Sequence, residues 1–274
     1  MERAAEQEEE DGAVVASRLG FYEGTVRMVD SAAEEILLLW AMRQPTLQKQ
    51  NAFVRHSSQT LRLDAWGHHL TILQSPSSMS TPGVTGAVMW DSGVVLGKFL
   101  EHAVDTKRLV LRGRRVVELG SGCGLVGCIA ALLGAEVVLT DLPDRLKLLK
   151  KNVEANVGEG RASVSELTWG DDLDPEIAEH LPEIVLGSDV IYSEAAVKDL
   201  LITLSQLSGY DTTIFLAGEL RNDVVLECFL EAAMEEFLVG SIDQTQWHPD
   251  FHSNRVALFV LMKKPAKSEQ PELF

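Results

Sequence analysis

The chain predicts a doubly wound α/β domain built on a seven-stranded, mostly parallel sheet, and three observations carry that expectation. From residue 87 onward, apolar runs of strand length alternate with longer runs whose apolar residues recur at helical spacing. A glycine-dense turn, ELGSGCGLVG at 118–127, sits between one such strand and one such helix. The last two strand candidates, 238–246 and 255–262, are joined by a loop instead of a helix, so they should close the sheet as an antiparallel hairpin.

The elements follow in chain order. Residues 1–20 open with the acidic run MERAAEQEEED and read as a solvated, disordered tail. Residues 21–85 read as an extension containing a helix and a hairpin. Ser31 and Glu34 have capping-box spacing, and EEILLLWAMRQ continues as a short apolar-rich helix stopped before Pro45, expected to cover an edge of its own domain. QTLRLDAWGHHLTILQS alternates on either side of Trp66-Gly67 and predicts a hairpin, followed by the Ser/Pro/Gly loop SPSSMSTPGVTG. The main domain, 86–264, begins with the helical pattern VMWDSGVVLGKFLEHAV. RRVVELG is a short buried strand, LVGCIAALLGA a helix ending at Gly134, and EVVLTD a second strand. Pro143 is expected at the first position of a helix whose stripe is Leu146, Leu149 and Val153. Further strands are expected at 162–168, 183–188 and 212–218, with helices at 194–207 and 222–236. Residues 265–274 read as a disordered tail.

Composition narrows the function classes. The 274 residues carry 41 acids against 24 bases, a formal charge of -17, of which the opening run supplies enough to leave -12 elsewhere. Such a surface repels phosphate backbones, so no nucleic-acid partner is expected. Three cysteines without paired spacing support neither a disulfide framework nor a zinc site, and a reducing compartment, cytoplasmic or also nuclear, is expected. No apolar run approaches the ~20 residues of a membrane span, and no signal peptide is expected. His248 and His252 are four apart, but Pro249 and Asp250 between them indicate a loop, so no metal site is expected. Cys123 at a helix N-terminus is read as a small wall residue.

The glycine turn fits two templates. Gly122, Gly124 and Gly127 satisfy G-x-G-x-x-G, the dinucleotide pattern, while Glu118, Gly120, Gly122 and Gly124 satisfy E-x-G-x-G-x-G, a nucleoside-binding turn. Glu118 lies at the strand end beneath the turn, where its charge would oppose a pyrophosphate and suit a ligand bearing a sulfonium and an ammonium. Asp141 closes the next strand, where a carboxylate accepts ribose hydroxyls under either template. Trp169 follows the third strand, where a ring can flank an adenine, and Asp189 and Tyr192 follow the fourth, facing the ligand mouth.

In GAVMWDSGVVL, VVELGSGCGLVG, ALLGAEVVLTD, ELTWGDDLD and VLGSDVIYSE, from about Gln59 to Leu261, the chain resembles the methyltransferase-like twenty-one group. These are seven-stranded, Rossmann-like class I methyltransferases that modify lysines of folded proteins. Those acting on seventy-kilodalton heat-shock chaperones are most similar, then those acting on valosin-containing protein, a AAA-type ATPase. The resemblance implies S-adenosyl-L-methionine as cofactor and a protein substrate. It places Trp90 near the cofactor, Gly120, Ser121 and Gly122 beneath its methionine part, Asp141 on the ribose, Trp169 by the adenine and Ser188 at the ring edge. Asp189 and Tyr192 complete a D-x-x-Y signature beside the transferring methyl. The front extension and AGELRND at 217–223 depart from the family pattern.

The expected reaction is in-line methyl transfer to a lysine amine. Such a displacement needs little acid or base help, so positioning in a dry pocket should dominate. Asp189 is assigned to positioning the amine and Tyr192 to the pocket wall. A nicotinamide-dependent oxidoreductase, an inactive partner-binding module of the same fold, and a small-molecule or histidine acceptor are the competing readings. A monomer is expected.

Overall fold

The computed structural model describes residues 16–43, 53–80, 86–158 and 160–265. In chain order the elements are β1 (Ala16–Leu19), β2 (Tyr22–Met28), α1 (Ala32–Arg43), β3 (Thr60–Ala65), β4 (His68–Leu73), α2 (Asp91–Asp105), β5 (Arg115–Leu119) and α3 (Leu125–Leu132). Then come β6 (Glu136–Asp141), α4 (Leu146–Asn156), β7 (Ala162–Glu166), α5 (Pro175–Glu179), β8 (Ile184–Ser188) and α6 (Glu194–Leu207). The chain continues through β9 (Thr213–Glu219), α7 (Asp223–Glu236), β10 (Phe237–Ser241) and β11 (Val256–Lys263).

Among the described residues one sheet runs β1-β2-β10-β11-β9-β8-β5-β6-β7, and β3-β4 form a separate hairpin. The strands from β7 to β9 pair in parallel, while β11 enters antiparallel beside β9 and β10 antiparallel beside β11. The seven strands β5 to β11 are therefore the expected doubly wound core. The sheet is larger than expected, because β2 adds antiparallel to the outer edge of β10 and β1 folds back on β2. Residues 16–20, assigned to the acidic tail, thus form a strand and its turn. Alternation in YEGTVRM buries Tyr22, Gly24 no side chain, and Val26 inward, a period-two pattern that an exposed leader would not need. The expected tails at 1–15 and 266–274 lie outside the described residues.

Helices cover both faces of the sheet. Phe99 of α2, Ile129 of α3 and Leu149 of α4 share one core with Leu70 and Ile72 of the hairpin. Leu39 of α1, Ile177 of α5, Leu200 of α6 and Phe229 of α7 share the core on the other face. Central strands such as β8 and β9 are apolar and buried almost throughout, as strands covered on both faces must be. The hairpin turns at Trp66 and Gly67, with φ of 49° and 75°, the left-handed pair that a two-residue turn demands. The capping contact also forms, with the Glu34 N–H donating to Ser31 Oγ at 3.3 Å.

Three boundaries differ from expectation. α4 starts at Leu146 with Arg145 as its cap residue, and Pro143 sits in the preceding turn. The Asp141 carboxylate takes the Leu142 N–H at 2.8 Å, so the chain turns once before it can begin a helix. β7 ends at Glu166, leaving Trp169 in a turn, and β10 ends at Ser241, followed by a 3-10 turn at Gln244–Gln246.

Two buried amides fasten the front segment to the domain. Asn152 of α4, fully buried, donates to the Leu73 and Cys123 carbonyls, both at 2.9 Å, and accepts the Leu73 N–H at 2.9 Å. It ties β4 to the glycine turn. Gln246 accepts the Tyr22 hydroxyl and the Thr25 N–H, each at 3.0 Å, and donates to Thr25, which ties β2 to the loop after β10. Asn152→Ala would leave the Cys123 carbonyl without that donor, at a cost of about 2–3 kcal/mol. The expected result is a fall in thermal midpoint on the order of 5 °C, read by calorimetry; an unchanged midpoint would show that the amide bonds are dispensable.

Candidate active site

The sheet order reverses beside β5, and the carboxyl ends of β5, β6 and β8 open there on a cavity of about 290 Å³. Such a switch point is where open α/β sheets bind ligands. Gly120, Ser121 and Gly122 line it together with two groups, Asp141 and Trp169 near Tyr192, and Trp90 and Arg221 near Asp189.

The turn is bare for steric reasons. Gly120 has φ of +58°, and a Cβ there would lie 3.2 Å from both the Trp169 ring and Val190. Gly122, at φ +53°, would put a Cβ 3.2 Å from the Gly86 carbonyl oxygen. Left-handed backbone and close neighbours together require glycine at both positions. The Gly122 N–H donates to Asp141 Oδ2 at 2.7 Å, so the β6 carboxylate holds the turn while facing the cavity. Burial raises the Asp141 pKa above its ordinary value, against the lowering effect of the Gly122 and Leu142 N–H groups.

Two expected site residues stand behind the wall. Glu118 is buried, absent from the cavity lining, and accepts the Gly127 N–H of α3 at 3.1 Å. Burial pushes its carboxyl up to about 8, so it is mostly uncharged at neutral pH. Glu118, expected to face a cationic ligand, is kept from the cavity lining and sits under the start of α3. Gly124 caps that helix at φ +83°, where a Cβ would lie 2.6 Å from Leu149. It too serves packing.

Asp189 and Tyr192, expected beside the transferring methyl, both line the cavity and have different partners there. The Tyr192 ring centroid lies 6.1 Å from that of Trp169. Its pKa is raised by burial first and then by the charge of Asp141. Asp189 instead has φ of +61°, a left-handed conformation that asparagine and aspartate tolerate and other side chains rarely adopt. Its N–H donates to the Ala217 carbonyl at 2.7 Å, which turns the carboxylate toward β9. There Oδ1 accepts the Glu219 N–H at 3.3 Å, and Oδ2 pairs with the Arg221 guanidinium. Ser188 lines the cavity as well.

Sequence reasoning missed this second group. Arg221 lies over the Trp90 ring, its Cζ 4.2 Å from the centroid, a cation–π contact. The His56 ring meets Trp90 edge-on at 4.4 Å. Glu219 accepts the Asp91 N–H at 2.9 Å, fastening the end of β9 to the start of α2 just beyond Trp90. The signal was AGELRND itself, whose charged residues follow a buried strand at the sheet's carboxyl edge. Cys123 lines the cavity as a buried thiol whose pKa burial pushes up to about 12, so it is a wall and no nucleophile. His248 and His252 fall in the loop before β11, where the His248 ring packs edge-on against Phe251 at 5.0 Å. No helix among the described residues is long and apolar enough to cross a membrane.

The family model described as "Lysine methyltransferase" matches residues 68–236. The chain is 42% identical over 161 residues to "Protein N-lysine methyltransferase METTL21A" of Danio rerio, covering 57% of this chain and 70% of that protein. It is 46% identical over 138 residues to the METTL21A of Mus musculus, covering 49% of this chain and 61% of that protein. To "EEF1A lysine methyltransferase 3" of Mus musculus it is 37% identical over 185 residues, covering 67% and 76%.

Proposed function

Because this chain belongs to the lysine methyltransferase family, we propose that its cavity binds S-adenosyl-L-methionine and that the Asp189 end receives a lysine of a folded protein. The observation that carries the reading is that one cavity is lined by Asp141 and Trp169, by Gly120–Gly122, and by Asp189 and Trp90. The residues present fit such a cofactor. Asp141 offers a carboxylate to two ribose hydroxyls, Trp169 and Tyr192 offer rings to an adenine, and the glycine floor lets the amino-acid part pass. Ser188 lines the same cavity. When bound, the cofactor supplies an electrophilic methyl on sulfur.

The chain's own residues hold and dry the acceptor. Trp90, with Arg221 held over its ring, walls the acceptor side of the cavity, and the buried Asp189 carboxylate orients the lysine amine. Tyr192, its ring near Trp169, supplies pocket wall. No side chain at the Asp189 end is required as a strong base, because an amine that has lost its proton to water is already nucleophilic.

The acceptor belongs to the same proposal. The mouse relative's name specifies EEF1A, and the family motifs point to seventy-kilodalton chaperones, so EEF1A, such a chaperone and a AAA-type ATPase form the test panel. Each is incubated with radiolabelled cofactor and either the wild type or Asp189→Asn, which keeps the shape and removes the charge. Label on lysine with wild type is expected, falling about tenfold or more with Asp189→Asn while S-adenosylhomocysteine still binds. Label confined to small molecules, or Asp189→Asn at full rate, would overturn the reading.

A further inference from the structure

A carboxylate at the acceptor end creates a difficulty that the ion pair beside it resolves. A lysine amine transfers only when neutral, and with an ordinary pKa of ~10.4 it is neutral in roughly one molecule in a thousand near pH 7.5. An unneutralised carboxylate within about 4–6 Å would raise that pKa by a further ~1–3 units. Asp189 would be such a carboxylate if it stood alone, and its side chain is only 8% exposed.

We propose that Arg221 is a positioning residue for the transfer: its guanidinium cancels the Asp189 charge, so that Asp189 can orient the acceptor amine without trapping its proton. The inference rests on the reading above and deepens it. Arg221 pairs with Asp189 Oδ2 directly, is held over the Trp90 face, and lines the same cavity. A guanidinium cannot lose its proton at working pH, so the neutralisation is permanent.

The neighbouring charges do not replace it. From α2, Asp91 commits Oδ1 to the N–H groups of Phe53 and Val54, at 3.1 and 3.0 Å. From β9, Glu219 accepts the Asp91 N–H, and its pKa is raised chiefly by burial. From the segment before β3, burial holds His56 below its ordinary pKa, so it is neutral where the reaction runs. Arg255, just before β11, acts through its charge on Arg221 and Glu219. At the nucleoside end, Tyr192 senses Asp141 and Arg145 instead. Arg221 thus carries the pairing that Asp189 needs.

The test compares wild type, Arg221→Gln, Arg221→Met and Arg221→Lys. Initial rates at saturating cofactor are read as label entering the protein bands of a cell extract, from about pH 6.5 to about pH 10. Both uncharged variants should show the acid limb of the rate profile displaced upward by about one pH unit. That displacement means about tenfold less label near neutrality, converging on wild type at the alkaline end. Arg221→Lys should restore most of the rate near neutrality. S-adenosylhomocysteine affinity, measured by calorimetry, should stay within about twofold for all four, showing an intact fold and cofactor site. Coincident limbs would overturn the proposal, as would an equal loss at every pH, the mark of a merely structural role. A wild type that labels no protein band would sink the lysine-transfer reading itself, which is a different result.

Discussion

Asp141→Ala is expected to weaken S-adenosylhomocysteine binding by about a hundredfold to ten-thousandfold. A carboxylate that accepts two ribose hydroxyls makes two charge-assisted bonds, each worth about 1.5–3 kcal/mol when one partner is ionised. Asp141 is suited to that task because its position at the end of β6 is fixed twice over, by the Gly122 N–H at 2.7 Å and the Leu142 N–H at 2.8 Å. Removing the carboxylate also releases the Gly122 N–H, so the turn loses its tether together with the ligand. Asp141→Asn retains one acceptor oxygen and should lose only about tenfold. Titration calorimetry on the three proteins gives the answer; an Asp141→Ala protein binding within threefold of wild type would place the nucleoside elsewhere.

Glu118→Gln is expected to stabilise the protein at alkaline pH and not at acid pH. Burial pushes the Glu118 carboxyl from 4.5 up to about 8 in the folded state. Between those values the folded protein holds a proton that the unfolded chain has released. Stability therefore falls as pH rises from about 4.5 to about 8 and then levels, by up to about 4–5 kcal/mol. Glutamine matches the protonated acid in shape, can still accept the Gly127 N–H, and carries no charge to desolvate. The difference in thermal midpoint between Glu118→Gln and wild type should accordingly grow on the order of 10 °C from pH 5 to about pH 8. An equal difference at both pH values would show that Glu118 does not titrate as its burial implies.

Features governed by the backbone were readable in the sequence. Gly120 and Gly122 are glycine because φ is positive and neighbours leave no room, and those constraints mark the sequence directly. Asp141 was readable because it ends a strand at a fixed distance from the turn. Residues whose role depends on what faces them were harder to read. The charge of Glu118 is decided by α3 packing over it, and the direction of Asp189 by its left-handed φ, neither of which leaves a local signature. Arg221 reaches Asp189 because β8 and β9 are neighbours in the sheet, a consequence of strand order that no motif near 189 announces. The β1–β2 pair escaped for a similar reason, since its partner β10 lies near the other end of the chain.

That distance has a consequence for how the molecule is made. Tyr22 meets Gln246 across 224 residues of sequence, so β1 and β2 have no docking surface until β10 and the loop after it have been made. Loop closure on that scale is slow and leaves β-edges uncovered while translation continues. While that stretch is being made, the β1–β2 pair keeps an unsheltered strand edge, and its docking must wait for a partner more than two hundred residues away.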